Sequence, residues 1–117
     1  MGLSHGYDVC PQYANSIRLL KKAYEYWSNF IDTAEAYGWG DNERLVGEAF
    51  EGMRDKINIS TKLHIIGESD NLAKFIEDHL DSSLKDLTTN YVDVYYMHIM
   101  LGSKKLTLKI WLKSLEI

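Results

Sequence analysis

Three helical stripes alternate with three short apolar runs in this chain, and that alternation restricts its folds more than any other feature. Ile17, Leu20, Ala23, Tyr24 and Trp27 recur at helical spacing, with Arg18, Lys21, Lys22 and Glu25 on other faces. Asn15 or Ser16 is the expected cap of that helix. The run Phe30 to Asp32 then reads as a short strand. Asp41 or Asn42 is expected to cap a second helix, striped by Leu45, Val46, Ala49, Phe50 and Met53. After the polar turn Arg54-Asp55-Lys56, Ile57 to Lys62 reads as a strand with Ile57, Ile59 and Thr61 on one face. Ser69 or Asp70 is expected to cap a third helix, striped by Leu72, Phe75, Ile76, Leu80, Leu84 and Leu87. The turn Thr88-Thr89-Asn90 leads into a strand from Tyr91 to His98. Val92, Val94 and Tyr96 face one way there, and Tyr91, Asp93 and Tyr95 the other. Helix and strand alternating in units of about 30 residues imply right-handed crossovers and a parallel sheet. The expected class is α/β, and periodicity alone leaves barrel and doubly wound sheet both open.

Length and composition narrow the function. At 117 residues, 45% hydrophobic and 26% charged, the chain has the composition of one small globular domain. Its net charge of −4 gives no reason to expect nucleic acid or a membrane as partner. Cys10 is the only cysteine, so no internal disulfide forms and a reducing, cytoplasmic setting is expected. Met1 to Tyr7 lacks the basic start and apolar core of a signal peptide, and Gly6 stands where a myristoylation motif needs Ser or Thr. His5, His64, His79 and His98 show no metal-ligand spacing, so no zinc site is expected. From Leu101 to Ile117 the character changes: Lys104, Lys105, Lys109 and Lys113 stand against one acid, Glu116. Leu106, Leu108, Ile110 and Leu112 alternate like a strand, while Leu108, Trp111, Leu112 and Leu115 fit a helix equally well.

Each expected strand stops at a titratable side chain: Asp32, Lys62 and His98. In a parallel sheet these lie at the carboxyl edge, where α/β folds place their sites. Tyr37 lies on the loop leaving the first edge. Each of the four has a structural explanation when taken singly. As a set they suit protonation of a carbonyl oxygen. A nearby ammonium favours a phenolate, a carboxylate keeps that ammonium charged and in place, and an imidazole can hold the carbonyl oxygen. The chain has no Ser-His-Asp spacing and no phosphate-binding glycine loop.

Four stretches also carry a resemblance. Phe30-Ile31-Asp32-Thr33-Ala34-Glu35-Ala36-Tyr37-Gly38, followed by Asn42-Glu43-x-Leu45-Val46-Gly47-Glu48-Ala49, resembles the first signature of the aldo-keto reductases. Ile59-Ser60-Thr61-Lys62 resembles their second catalytic strand. The segment from Leu80 through Ser83, Leu84 and Leu87 to Tyr91-Val92-Asp93-Val94-Tyr95-Tyr96-Met97-His98 resembles their next helix and strand. Met1 to Tyr7 is similar to the loop after their first barrel strand. The resemblance implies a (β/α)8 TIM barrel that reduces aldehydes or ketones with NADPH or NADH. It implies a catalytic tetrad of Asp32, Tyr37, Lys62 and His98, with Tyr37 as general acid, Lys62 and Asp32 lowering its pKa, and His98 orienting the carbonyl. Asp32 would also touch the cofactor.

The departures shape the remaining expectations. A closed barrel needs about 250 residues. The expected fold is therefore a partial barrel of about three parallel strands with intervening helices, not closed. Residues 1–98 would be the N-terminal part of such a reductase, and 99–117 a divergent basic tail unlike the family. Trp27-Ser28 replaces the family's glycine-containing turn. The family's later strands hold most of the cofactor pocket, so the chain alone is expected to be inactive. Open sheet edges are a template for self-association. Two other readings stay open: a half-barrel active on assembly with another chain, and a binding domain that kept the fold without the chemistry.

Overall fold

The fold, seen in a computed structural model, is described for residues 3, 12–65 and 70–98. The expectations for His5, Cys10 and the rest of the N-terminal segment, and for the tail 99–117, lie outside those residues. The order is α1 (Tyr13–Glu25), β1 (Phe30–Asp32), α2 (Asp41–Ala49), a short 3-10 turn (Arg54–Lys56), β2 (Asn58–His64), α3 (Leu72–Asp86) and β3 (Val94–His98). The three strands form one parallel sheet in the order β1-β2-β3. The α/β class and the parallel sheet are as expected, and among the described residues so are the open edges.

The register decides which residues share a face. Asp32 pairs with Ser60, Lys62 with Tyr96, and His64 with His98. Side chains alternate across a strand, so Phe30, Asp32, Asn58, Ser60, Lys62, His64, Val94, Tyr96 and His98 lie on one face. Ile31, Ile59, Thr61, Leu63, Tyr95 and Met97 lie on the other, against the helices. There Ile31, Val46, Ala49, Phe50, Ile57, Ile59 and Leu87 form a buried cluster, with Ile17, Leu20, Tyr24, Met53 and Val92 packed against it. Leu63 and Ile65 form a second, covered by Phe75, Ile76, Tyr95 and Met97. Most residues of the stripes read from the sequence thus supply the core, but Trp27, expected on the first stripe, is exposed, because α1 ends at Glu25 and Trp27 follows it in a left-handed conformation. Gly47 lets α2 approach the end of α3, since a Cβ there would lie 2.6 Å from the Leu87 carbonyl oxygen. On the first face Phe30 and Tyr96 are half exposed.

Several boundaries differ from expectation, each for a contact reason. Helix α1 starts at Tyr13, ahead of Asn15 and Ser16. The Gln12 carbonyl accepts from both of their N–H groups, at 2.9 and 3.1 Å, and Ser16 is buried. Gly40, at φ 92°, precedes α2 in place of an Asp41 or Asn42 cap, because buried Asn42 accepts the Thr33 hydroxyl at 2.8 Å. Asn71, in place of Ser69 or Asp70, caps α3 by accepting from the Lys74 N–H at 3.1 Å. Strand β3 begins at Val94, not Tyr91. Asp93 is committed instead to the backbone N–H of Ile59 at 2.8 Å and to Arg54 at 2.7 Å. Strand β2 runs past Lys62 to His64, because β3 continues to pair with it as far as His98.

Candidate active site

Asp32 and Lys62 lie on the same sheet face, two registers apart on neighbouring strands. The lysine leans back across that step. Its Nζ donates to Asp32 Oδ2 at 2.6 Å and to the Thr33 carbonyl at 2.7 Å. Ser60, the residue paired with Asp32, donates its hydroxyl to the other carboxylate oxygen at 2.6 Å. Burial raises the Asp32 pKa, but the Lys62 and Ser60 hydrogen bonds and the ammonium charge outweigh it and hold the carboxyl below its ordinary value. A charge-assisted pair of this kind fixes the ammonium in place.

Tyr37 is brought in by the loop after β1. Its N–H closes a turn on Ala34 at 3.0 Å, and its carbonyl accepts from the Asn42 N–H at 3.2 Å. That loop delivers the phenolic oxygen to 3.5 Å from Lys62 Nζ, with the ammonium 4.9 Å from the ring centre. His98 enters from the end of β3, its ring edge-on to that of Tyr37 at 5.9 Å. Its pKa is lowered, first by burial and then by the Lys62 charge, so the imidazole is neutral at pH 7. The structure therefore brings together all four residues expected from the sequence. It also shows that Lys62 is not a strand end: the lysine reaches Tyr37 from inside the strand, and His64 ends it.

Other polar groups at this edge were not singled out from sequence. Ser60 is one; its place opposite Asp32 on the same face was the available signal. Glu35 is another. Its carboxylate accepts from the His64 N–H and lies 2.9 Å from His79 Nδ1, which ties the loop to β2 and α3. Beneath the sheet Glu43, 1% exposed, accepts the Thr61 hydroxyl at 2.5 Å. Burial pushes its carboxyl above the ordinary range. Among the described residues no three metal-ligating side chains converge, and no helix is long and apolar enough to cross a membrane.

A sheet of this topology with this set at its carboxyl edge can be compared with known proteins. The sequence model of the aldo/keto reductase family matches residues 3–116. The chain belongs to the aldo/keto reductase family. Its relatives include a probable aldo-keto reductase 1 of Glycine max, 33% identical over 105 residues that cover 84% of this chain and 30% of that protein. Another is aldo-keto reductase YhdN of Bacillus subtilis, 35% identical over 91 residues, covering 71% and 27%. An aldo/keto reductase from Klebsiella pneumoniae, solved in complex with NADP and acetate, superposes with a TM-score of 0.70 at 26% identity. It covers 99% of this chain and 38% of that one. An aldo-keto reductase of the same organism in complex with NADPH gives 0.69 at 25% identity.

This chain thus spans less than a third of the length of either relative. The family is one of oxidoreductases that use a nicotinamide cofactor, and its barrels are (β/α)8, of which the three strands here are a part. Asp32 keeps 51% of its side chain exposed beside Lys62 on the open face, where a carboxylate can accept a hydroxyl. The tetrad offers no charge for a diphosphate, because its single ammonium is already held by Asp32.

Proposed function

We propose that this site carries the proton-transfer half of an NADPH-dependent reduction of aldehydes or ketones to alcohols. The observation that supports it is Lys62, held by Asp32 at 2.6 Å and placed 3.5 Å from the Tyr37 oxygen. In the reaction, the carbonyl carbon gains a hydride and its oxygen gains a proton. The nicotinamide cofactor, when bound, supplies the hydride. Tyr37 gives its phenolic proton to the carbonyl oxygen as negative charge develops there. The Lys62 ammonium stabilises the phenolate left behind, and Asp32 keeps the ammonium oriented. Neutral His98 holds the carbonyl oxygen by an N–H donor, which a neutral imidazole retains on one nitrogen. Solvent then reprotonates Tyr37.

The chain by itself binds the cofactor weakly in this reading, since the tetrad meets none of the diphosphate charge. The experiment is a fluorescence titration with NADPH, followed by aldehyde reduction at millimolar NADPH with Tyr37→Phe alongside. The chain alone is expected to show weak binding and little or no turnover at ordinary NADPH levels, and such turnover as millimolar NADPH drives should fall about 10²–10⁴-fold in Tyr37→Phe. Micromolar binding overturns the weak-cofactor part. Turnover that survives Tyr37→Phe overturns the proton-donor part.

A further inference from the structure

Lys62 owes its place to two acceptors, the Asp32 carboxylate at 2.6 Å and the Thr33 carbonyl at 2.7 Å. The lysine alone fixes neither of them. Asp32 is the last residue of β1 and its side chain is half exposed. A carboxylate in that setting, meeting an ammonium through one oxygen, can turn about its own bonds and exchange that partner for water. Thr33 already lies past the strand, at the start of the loop that carries Tyr37. One residue grips both acceptors. Ser60 donates its hydroxyl to Asp32 Oδ1 at 2.6 Å, and its carbonyl accepts from the Thr33 N–H at 2.9 Å. Ser60 is fully buried and stands opposite Asp32 in register. A hydroxyl sealed from water needs an acceptor, and Asp32 supplies it. Ser60 also lies two residues before Lys62 in β2, on the same face. The strand that carries the lysine therefore also fixes the two groups that receive it.

We infer that Ser60 is a positioning residue for the proton transfer: through Asp32 and Thr33 it holds the Lys62 ammonium within reach of the Tyr37 oxygen. With Oδ1 occupied by the serine, Asp32 presents Oδ2 to the lysine, and the carboxylate cannot rotate without breaking both bonds. With the Thr33 N–H tied to β2, the Thr33 carbonyl cannot drift away with the loop. The ammonium is thereby confined 3.5 Å from the phenolic oxygen, where a preorganised charge can stabilise a phenolate. The consequence for catalysis rests on the carbonyl-reduction reading, whereas the holding of Lys62 does not depend on it. Loss of the hydroxyl is expected to lower kcat about three- to tenfold, less than a fully buried charged hydrogen bond is worth because Asp32 is half exposed.

The test is NMR of the purified full chain without cofactor. Ser60→Ala deletes the hydroxyl and leaves the backbone bond to Thr33. Ser60→Cys, of similar size but a far weaker donor, is the second variant, so a folding defect in one does not decide the outcome. Two signals are followed. One is the Lys62 ammonium, identified by its absence in Lys62→Met and visible when hydrogen bonds slow its exchange with water. The other is the titration of the Asp32 carboxyl. In both Ser60 variants the ammonium signal is expected to broaden or vanish. The Asp32 titration should move upward, because a donor to its charged form has gone. Turnover at millimolar NADPH should fall in kcat with KM for the aldehyde unchanged. An unchanged ammonium signal overturns the inference, and so does a lost signal with the Asp32 titration unmoved, since the lysine is then not held through Asp32. Reduction that ignores Tyr37, with both signals moved, sinks the reductase reading alone. Tyr37-dependent reduction that the Ser60 variants leave unchanged sinks the positioning role alone.

Discussion

Replacing Trp27 by glycine is expected to stabilise the protein, although it deletes the largest side chain in its turn. Helix α1 ends in a Schellman motif. The Ser28 N–H donates to the Ala23 carbonyl and the Trp27 N–H to the Tyr24 carbonyl, both at 3.0 Å. Trp27 occupies the left-handed position of that motif, φ 72°, where glycine is the usual residue. An L residue there costs about 1–2 kcal/mol. The indole offsets nothing, being 94% exposed. Glycine returns about 0.5–1 kcal/mol of that gain through its freer unfolded chain. The net is about 0.5–1 kcal/mol, or about 2–4 °C in Tm for a domain of this size. The assay is thermal unfolding followed by circular dichroism, with urea unfolding alongside. Trp27→Ala is the control: it removes the same ring but keeps the strained backbone, so its stability should stay within about 0.5 kcal/mol of the wild type. Thr88→Gly is the companion. Thr88 sits at φ 53° in the same motif at the end of α3, with the Thr89 N–H on the Leu84 carbonyl at 3.0 Å and its own N–H on the Lys85 carbonyl at 3.1 Å. If Trp27→Ala stabilises as much as Trp27→Gly, backbone strain is not the cause. If Trp27→Gly lowers Tm, the indole makes contacts that the structure does not contain.

Three further outcomes follow from the geometry. Gly47→Ala places a Cβ 2.6 Å from the Leu87 carbonyl oxygen, so α2 must move, and urea unfolding should register a loss of about 1–3 kcal/mol; an unchanged midpoint would mean that the helices separate freely. His98 has a lowered pKa, so its NMR titration should fall below the ordinary value of 6.5 and move back toward it in Lys62→Met, which deletes the second cause of the shift. The unfolded chain takes up the His98 proton first as pH falls below 6.5, so stability declines from that point until the folded-state pKa is passed, and His98→Gln should flatten that part of the curve. Asp32 is shifted downward as well. Its contribution is in place above the ordinary carboxylate value of 3.8 and is lost as pH falls through the lower folded value. Acid unfolding of Asp32→Asn should accordingly show a shallower slope there.

What could be read along the chain was whatever repeats locally. The stripe Leu45-Val46-Ala49-Phe50 and Leu87 are set by 3.6-residue periodicity, and much of the buried core is built from them. The order of elements, the parallel sheet and the gathering of Asp32, Tyr37, Lys62 and His98 at one edge follow from that periodicity and from the family's motif. The helix starts were less legible, because Asn15, Asn42 and Ser69 all resemble caps locally. What decides among such candidates is competition for the side chain: Asn42 is taken by Thr33, nine residues away. The strand ends were displaced for a similar reason. Asp93 is claimed by Ile59 and Arg54, 34 and 39 residues earlier in the chain.

The sequence by itself picked out the four groups that gather at this edge and showed that an aromatic residue stands at a left-handed position after α1. Only the tertiary structure decided how the site is wired. Lys62 lies beyond Asp32 in register and must lean back to reach both Asp32 and Tyr37. Ser60 and Glu35 acquire their roles from partners 28 and 29 residues away. His64 becomes a neighbour of His98 through strand pairing, and Trp39 a neighbour of His64 through a run of left-handed backbone that no spacing rule reports. The physical reason is range. Periodicity and turn chemistry act over a few residues and can be read in order, whereas hydrogen bonds, ring contacts and register are settled between segments that meet when the sheet forms.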